Sequence, residues 1–460
     1  MSSRHPKPLD LNPLDARIYD NLLNMLGGDI VGFRRQTRWR PAWDVDMLID
    51  GEPHRLNVRA EKGKKYANPM NLHQEAGIHD ILEKYDVPAP HVYGMMDDPT
   101  AIVMELIPGQ INLETARDDA ARESIRAQYV EVLANLHDIP ADEFASLGLT
   151  VPSTPRDIAL NLYRDCEAIY RKRMAGRPFA LMDFIWHWVQ SNVPEHRNRA
   201  AFITADSGQF LFQGDKLTGL IDFEVGYVGD PIAEFAGMRL RDSTEPLGDI
   251  NTLMDHYEQL TGDRMDKNSV EYHTAGFCAV NGFLLWPLAF DPDIADDFVA
   301  YLSFSVGTTR WAIEAIAEVE GVTLEDIEPP AAAPLGYPAA PRHLVKNLAQ
   351  LPMEGEFAEY DKSKAVSLAL YLERANLYGR SVIEQNLADV VQLTGKQFDD
   401  PDDAEKAMVD LIAGAGPEQM PALTRYFHRW LQRQDFLLRE CGASSWGTGI
   451  KLQAIRHRER

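Results

Sequence analysis

Cysteine is scarce in this chain. Three cysteines, Cys166, Cys278 and Cys441, stand far apart and show no metal-ligand spacing. That excludes a disulfide framework and fits a reducing compartment. Positive charge is also in short supply: 46 Lys and Arg face 70 Asp and Glu, a net charge of −24. Such a balance argues against nucleic acid or an anionic membrane as the main partner, although a local basic pocket needs only a few cations. Long apolar runs are missing. No window of ~18 apolar residues can cross a bilayer, and Met1 to Leu23 lacks the apolar core of a signal segment. The expectation is a cytoplasmic protein with no nucleic-acid and no membrane partner. What remains is ordinary globular composition, and 460 residues allow two or three domains.

The texture changes along the chain. A polar lead-in precedes a short helix from Leu14 to Met25. Trp43, Val45, Met47 and Ile49 then alternate with mostly polar residues, Asp50-Gly51 makes a hairpin turn, and Leu56 and Val58 resume the alternation. A helix is expected from about Asn71 to Tyr85, ended by Pro88 and Pro90, and a strand from Ala101 to Leu106. From Asp118 the pattern is helical, with Ile125, Tyr129, Leu133 and Leu136 on one face. Further helices are expected at Arg156–Met174, Phe179–Asn192 and after Gly229-Asp230-Pro231, then in long runs to Glu320 interrupted at Trp286-Pro287. An Ala- and Pro-rich linker precedes a helical region without strand pattern. No repeat is visible. The division read from this texture is 1–107, 108–328, a linker at 329–342, and 343–460.

The chemistry concentrates on one hairpin. Phe210-Leu211-Phe212 and Leu217-Thr218-Gly219-Leu220 bracket the turn Gly214-Asp215, with Asp206 before the first strand and Asp222 after the second. Two solvated acids are the plain reading of such a pair. The alternative is a divided task, in which one carboxylate handles the proton of an attacking hydroxyl and the other holds a divalent cation.

Leu220-Ile221-Asp222-Phe223-Glu224, followed by Gly229-Asp230-Pro231, resembles the aminoglycoside phosphotransferase and choline kinase-like superfamily over roughly residues 20–325. Within it, the pattern is similar to bacterial phosphotransferase-like proteins of mostly unassigned substrate. The resemblance implies an α+β, protein kinase-like two-lobed fold: a small β-rich N-terminal lobe and a mainly helical second lobe. Here an all-α C-terminal region is added. It implies Mg²⁺ and ATP or GTP, with a small-molecule alcohol as phosphate acceptor. Asp222 is the implied metal ligand and Asp206 the catalytic residue. The superfamily's usual loop, His-Gly-Asp-x-x-x-x-Asn, is altered here to Thr204-Ala205-Asp206-Ser207-Gly208-Gln209, two residues shorter, so Gln209 takes the place of the second metal ligand. Asp230 is expected to cap the helix that follows it.

The same resemblance places a cation on the third strand and a Glu on the next helix. Arg59 and Glu75 match, since no Lys lies in phase on that strand. Gly28 and Gly32 fall where backbone approaches phosphates, although no G-x-G-x-x-G run exists. Arg34, Arg35, Arg38 and Arg40 cluster there, either to meet an anion or to tie the lobe together by ion pairs. Lys62, Lys64 and Lys65 follow Arg59 in a loop that can add positive charge or simply be solvated. Met104, Glu105 and Leu106 match the hinge whose backbone meets the nucleotide base. Leu136-His137 reads as packing. Arg239, Arg241, Asp242, Asn281 and Trp286 line the acceptor pocket by family position, and their partly apolar character favours an acceptor with hydrophobic parts.

Two other functions stay open from sequence. The altered loop suits a non-catalytic kinase-like binding module, and a nucleotide bound in the reverse sense would transfer AMP. Residues 343–460, with Trp446 and the basic end Arg456, His457, Arg458 and Arg460, carry no motif; pairing of two subunits is one use for their helices.

Overall fold

The computed structural model describes residues 11–38, 40–61, 68–445 and 448–456. Lys62, Lys64, Lys65, Trp446, His457, Arg458 and Arg460 lie outside the described residues. The chain forms two compact units. The first takes Met1–Pro152, Ala200–Pro231 and Glu245–Asp263; the second takes Ser153–Arg199, Ile232–Thr244 and Arg264–Arg460. This partition by contact cuts the chain differently from its change of texture.

The first unit opens with helix α1 (Pro13–Leu26), whose N-terminus is capped by the Asn12 side chain on Leu14 and Asp15 N–H. Then come β1 (Asp29–Arg35), β2 (Ala42–Ile49), β3 (Glu52–Ala60), α2 (Leu72–Lys84), β4 (Val92–Asp97) and β5 (Thr100–Glu105). The five strands form one antiparallel sheet in the order β1-β2-β3-β5-β4. Alternation decides what each face buries. Trp43, Val45, Met47, Leu56, Val58 and Val103 pack with Ile18, Tyr19 and Leu22 of α1. On the other face Ile102 and Met104 pack with Leu72 and Ala76 of α2. Arg59, one residue out of step with Val58, therefore turns toward α2.

β1 and β4 do not stand out in the sequence because they are the two edge strands. Their residues are mostly half-buried and show little alternation. Gly28, just before β1, adopts φ +71°, and a Cβ there would sit 2.0 Å from the Leu48 carbonyl oxygen. Its glycine is thus required by the approach of β2.

The rest of this unit is α3 (Asp119–His137), α4 (Ala141–Ala145), the pair β6 (Ala201–Ile203) and β9 (Tyr227–Gly229), the hairpin β7 (Phe210–Gln213) and β8 (Lys216–Leu220), and α8 (Ile250–Thr261). The hairpin falls where the alternation placed it. Gln110 exchanges backbone hydrogen bonds with Phe212 (2.9 and 3.1 Å), and Leu220 N–H donates to Pro88 O at 2.8 Å. His137 is buried with Nδ1 2.6 Å from the Tyr257 hydroxyl, a packing role.

The second unit is helical: α5 (Pro155–Met174), α6 (Ala180–Ser191), α7 (Ala233–Arg241), α9 (Lys267–Phe290), α10 (Phe298–Glu320), α11 (Ala339–Gln350), α12 (Glu356–Thr394), α13 (Pro401–Ala413) and α14 (Met420–Leu438). One expectation changes here. Pro287 does not interrupt α9; it sits in the last turn, and Asp291 N–H still donates to its carbonyl at 3.1 Å. The N-cap position of α7 is Ile232, two residues past Asp230, and carries no side-chain cap bond. Within the Ala/Pro stretch, Ala333 and Leu335 N–H donate to the Leu377 and Asn376 carbonyls of α12 (2.8 and 3.2 Å).

Gly28→Ala should destabilise the protein by about 1–3 kcal/mol in urea unfolding, because it combines a left-handed residue with a backbone clash. Wild-type stability in that variant would contradict the packing of β1 against β2.

Candidate active site

The site is built on Arg59. β3 carries it to the α2 face of the sheet, where only 8% of it is exposed. α2 presents Leu72, Glu75, Ala76, His79 and Leu82 along one buried stripe, so Glu75 arrives among apolar neighbours with 1% exposure. A buried carboxylate there needs a cation, and Arg59 Nη2 is paired with Glu75 Oε1. Arg59 Nη1 also donates to Asp222 Oδ1 at 2.7 Å. One guanidinium thus joins the sheet, a helix and the segment after the acidic hairpin. Burial pulls the Arg59 pKa below its ordinary value; Asp222 opposes this, Arg40 adds to it and Glu224 opposes it. The guanidinium remains charged all the same.

Asp222 holds φ 65°, a left-handed conformation uncommon for a residue with a side chain. Its side chain is 24% exposed. Behind it Phe223 is fully buried and meets the His79 ring edge-on at 5.0 Å. His79 lies on the buried face of α2, one turn after Glu75. Its Nδ1 lies 3.0 Å from the Pro90 carbonyl, which only accepts, so Nδ1 carries the proton. Burial, helped by the charge of Arg59, pushes its pKa down to about 4.

The altered loop is locally ordered. Ala205 adopts φ 64° and Asp206 N–H donates to Thr204 O at 2.9 Å, so the chain reverses at Ala205, immediately before Asp206. Gly208 N–H donates to the buried Tyr129 hydroxyl at 2.7 Å, and the Tyr129 ring packs on Phe210 at 4.6 Å. Gln209 Nε2 donates to Asp206 Oδ2 at 2.8 Å. Its backbone carbonyl accepts from Ile221 N–H at 3.1 Å, which brings the loop beside the residue before Asp222. Asp206, Gln209, Asp222, Arg59 and Glu75 therefore all belong to the first unit.

Residues 55–266 match the phosphotransferase enzyme family. The sequence resemblance is thereby supported over the segment that holds Arg59, Glu75, Asp206 and Asp222. No curated protein sequence matches the chain. Among solved structures, a candidate aminoglycoside phosphotransferase of Ralstonia eutropha aligns at 14% identity and TM-score 0.48, over 65% of this chain and 96% of its own. An ethanolamine kinase of Plasmodium vivax aligns at 13% and TM-score 0.47, over 67% and 89%. The macrolide 2′-phosphotransferase of Brachybacterium faecium aligns at 17% and TM-score 0.43, over 65% and 98%. The chain thus combines a β-rich N-terminal region with a helical remainder and an all-helical C-terminal region.

Other expected site residues have structural partners in the phosphotransferase segment and around it. A Cβ on Gly32 would lie 2.7 Å from Asp46 Oδ2, the end of an exposed side chain that can move aside, so unlike Gly28 this glycine is not demanded by backbone. Arg34 pairs with Asp44, Arg35 lies 3.7 Å from Asp15 Oδ1, and Arg40 pairs with Glu224. Of the two readings of the arginine cluster, these three follow the one in which ion pairs tie the lobe together. At the hinge, Glu105 and Leu106 N–H donate to the His91 and Arg55 carbonyls, each at 2.8 Å. Met104 is buried with α2.

Arg239, Arg241, Asp242, Asn281 and Trp286 belong to the second unit. Arg239 donates to Glu271 and to the Gln453 carbonyl, both at 2.6 Å, while Gln453 Nε2 donates to Asp242. Asn281 Nδ2 donates to the Phe277 carbonyl of its own helix at 3.0 Å. Trp286 is a core residue against Phe179 (4.9 Å) and Trp430 (6.2 Å). Arg239 also lines a polar cavity of about 650 Å³ with Arg310, Glu314, His428, Asp435 and Lys451.

A buried neutral His79 links stability to pH. The unfolded chain takes up its proton near 6.5 while the folded one resists until about 4. Stability should therefore fall by about 3 kcal/mol as pH drops through that window. The stability gap between wild type and His79→Gln should narrow by that amount between pH 7 and 4. A gap that does not change with pH would contradict a neutral, buried His79.

Proposed function

We propose that the first unit catalyses Mg²⁺-dependent transfer of the γ-phosphate of ATP or GTP to a hydroxyl of a small molecule. The observation that carries this reading is the single buried guanidinium of Arg59, which binds both Glu75 and Asp222. A structural ion pair needs one partner. Here a second carboxylate, left-handed and partly open to solvent, is drawn to the same cation. In kinase-like phosphoryl transfer those three roles are the phosphate-holding cation, its helix partner and the metal ligand. Arg can meet phosphate oxygens in a fork that Lys cannot make.

The donor set suits Mg²⁺ bound with a nucleotide. Among the described residues no three His, Cys, Asp or Glu side chains converge as a cage. Mg²⁺ needs none, since it takes one or two carboxylates and completes its shell with phosphate oxygens and water. Asp222 would supply the charged oxygen, and the carbonyl oxygen of Gln209 is a further hard donor. When bound, the cation would neutralise part of the charge on the transferring phosphate.

The chain's own residues do the rest. Glu75 fixes the Arg59 guanidinium so that it meets the phosphates without reorganising. Asp206 accepts the proton of the acceptor hydroxyl as the new O–P bond forms and the bond to the β-phosphate breaks, releasing ADP or GDP. Gln209, through its 2.8 Å bond, orients the Asp206 carboxylate. Tyr129 holds the loop by the Gly208 N–H. Positioning and charge supply most of such catalysis, so a shortened loop suffices if it fixes Asp206.

Asp222→Asn should abolish metal-dependent nucleotide binding while the melting profile of the free protein is retained. Asp206→Asn should keep nucleotide binding and reduce transfer to a panel of small alcohols by about 10²–10⁴-fold. Product mass then separates phosphate from AMP transfer. Undiminished binding in the first variant, or normal turnover in the second, would overturn the corresponding role.

A further inference from the structure

Glu224 and Arg40 have no part in the reaction as drawn, yet they form a second buried pair beside the first. Arg40 precedes β2 and is 3% exposed. Its Nη1 lies 2.5 Å from Glu224 Oε2, and its Nε donates to the Ala60 carbonyl at 3.2 Å. Asn68 Nδ2 reaches the same Glu224 oxygen at 3.4 Å. Ala60 N–H donates to Pro41 O at 3.0 Å, and Ala42 pairs with Arg59 in the sheet. The guanidinium of Arg59 thus hangs from β3 and that of Arg40 from the segment leading into the neighbouring strand β2.

Each cation holds one acid of Asp222-Phe223-Glu224. Arg59 takes Asp222, Arg40 takes Glu224, and the fully buried Phe223 ring anchors the segment between them. This three-point hold surrounds a backbone at φ 65°, which a non-glycine residue keeps only where its surroundings over-determine it. When Asp222 gives its carboxylate to a cation, the Arg59 contact weakens. Burial of an aromatic ring is non-directional and does not fix a dihedral. The Arg40–Glu224 pair, with side chains 3% and 19% exposed, is a directional side-chain contact that persists beside the backbone bonds of Ile221 and Phe223.

We infer that Arg40, acting through Glu224, is a positioning residue that keeps the Asp222 backbone in its left-handed conformation while the Asp222 carboxylate exchanges Arg59 for metal-bound nucleotide. The inference rests on the proposed function, because it presumes that Asp222 meets the metal. It differs from a general structural role in one respect. The loss should fall on metal-dependent binding, and the nucleotide contacts that need no metal should survive.

The test is calorimetric titration of the full chain with ATP, in Mg²⁺ and in EDTA, for wild type, Arg40→Ala, Arg40→Lys and Glu224→Gln. Supporting residues of a metal site typically change affinity 10–100-fold. Arg40→Ala and Glu224→Gln should weaken ATP binding in Mg²⁺ by roughly that factor, with binding in EDTA unchanged and Arg40→Lys partly restored. The double variant Arg40→Ala/Glu224→Gln should be no weaker than the worse single one, since both act through one contact. If Arg40→Ala does not fold, Glu224→Gln, which keeps the shape, gives the same comparison. Wild-type affinity in the variants, or equal loss with and without Mg²⁺, would overturn the inference and leave the proposed function standing. Absence of Mg²⁺-dependent ATP binding in the wild type would overturn both.

Discussion

The first unit depends on one buried cation. Arg59 is placed by strand alternation on the α2 face of a five-stranded sheet, where water cannot serve its charge. Leaving such a charge unpaired costs about 3–5 kcal/mol. Glu75 and Asp222 prevent that cost from two directions, one from a helix and one from a segment 163 residues away in sequence. The ion pair is weak evidence of net stability, because desolvation offsets much of its Coulombic gain. What the pairing does is tie strand, helix and the segment after the hairpin to one guanidinium.

The geometry around Arg59 follows from that demand. α2 must turn Glu75 inward, which brings His79, one turn later, against Phe223. His79 is then buried near a guanidinium and stays neutral. The hairpin must lie close to the sheet, and the backbone bonds of Gln110 with Phe212 and of Leu220 with Pro88 hold it there. Asp206 and Asp222 end up at the open edge of the same small structure because the Gln209–Ile221 backbone bond joins their loops. A site that needs fixed charges more than covalent chemistry is well served by this over-determined frame.

Much of this was legible in sequence where the signal is periodic. The Trp43–Ile49 alternation, the Asp50-Gly51 turn and the Phe210/Phe212 hairpin gave their elements directly, because each has one buried face. Arg59 and Glu75 were placed by the family resemblance and not by periodicity; their pairing appears only once β3 and α2 are packed together. Edge strands β1 and β4 were not legible, since half-buried residues carry no clean alternation. Gly28 and Gly32 read as phosphate-facing glycines, yet the backbone of Leu48 and the carboxylate of Asp46 occupy the space a Cβ would take. The arginine cluster could not be resolved without knowing which acids stand opposite it. Arg40 and Glu224 are 184 residues apart, and no local pattern announces such a pair. The acceptor residues were placed by family position alone, and Trp286 and Asn281 have ordinary packing and helix-internal partners.

The most direct test of the central claim is a thermal melt of the intact protein with Mg²⁺ and ATP or GTP together, against each component alone. A specific ligand at ~100 times its dissociation constant adds roughly 2.7 kcal/mol. The account predicts an upward shift that appears only when metal and nucleotide are both present. Identical melting profiles under all conditions would contradict it, and the Arg59 cluster would then be a structural clasp in a kinase-like binding module.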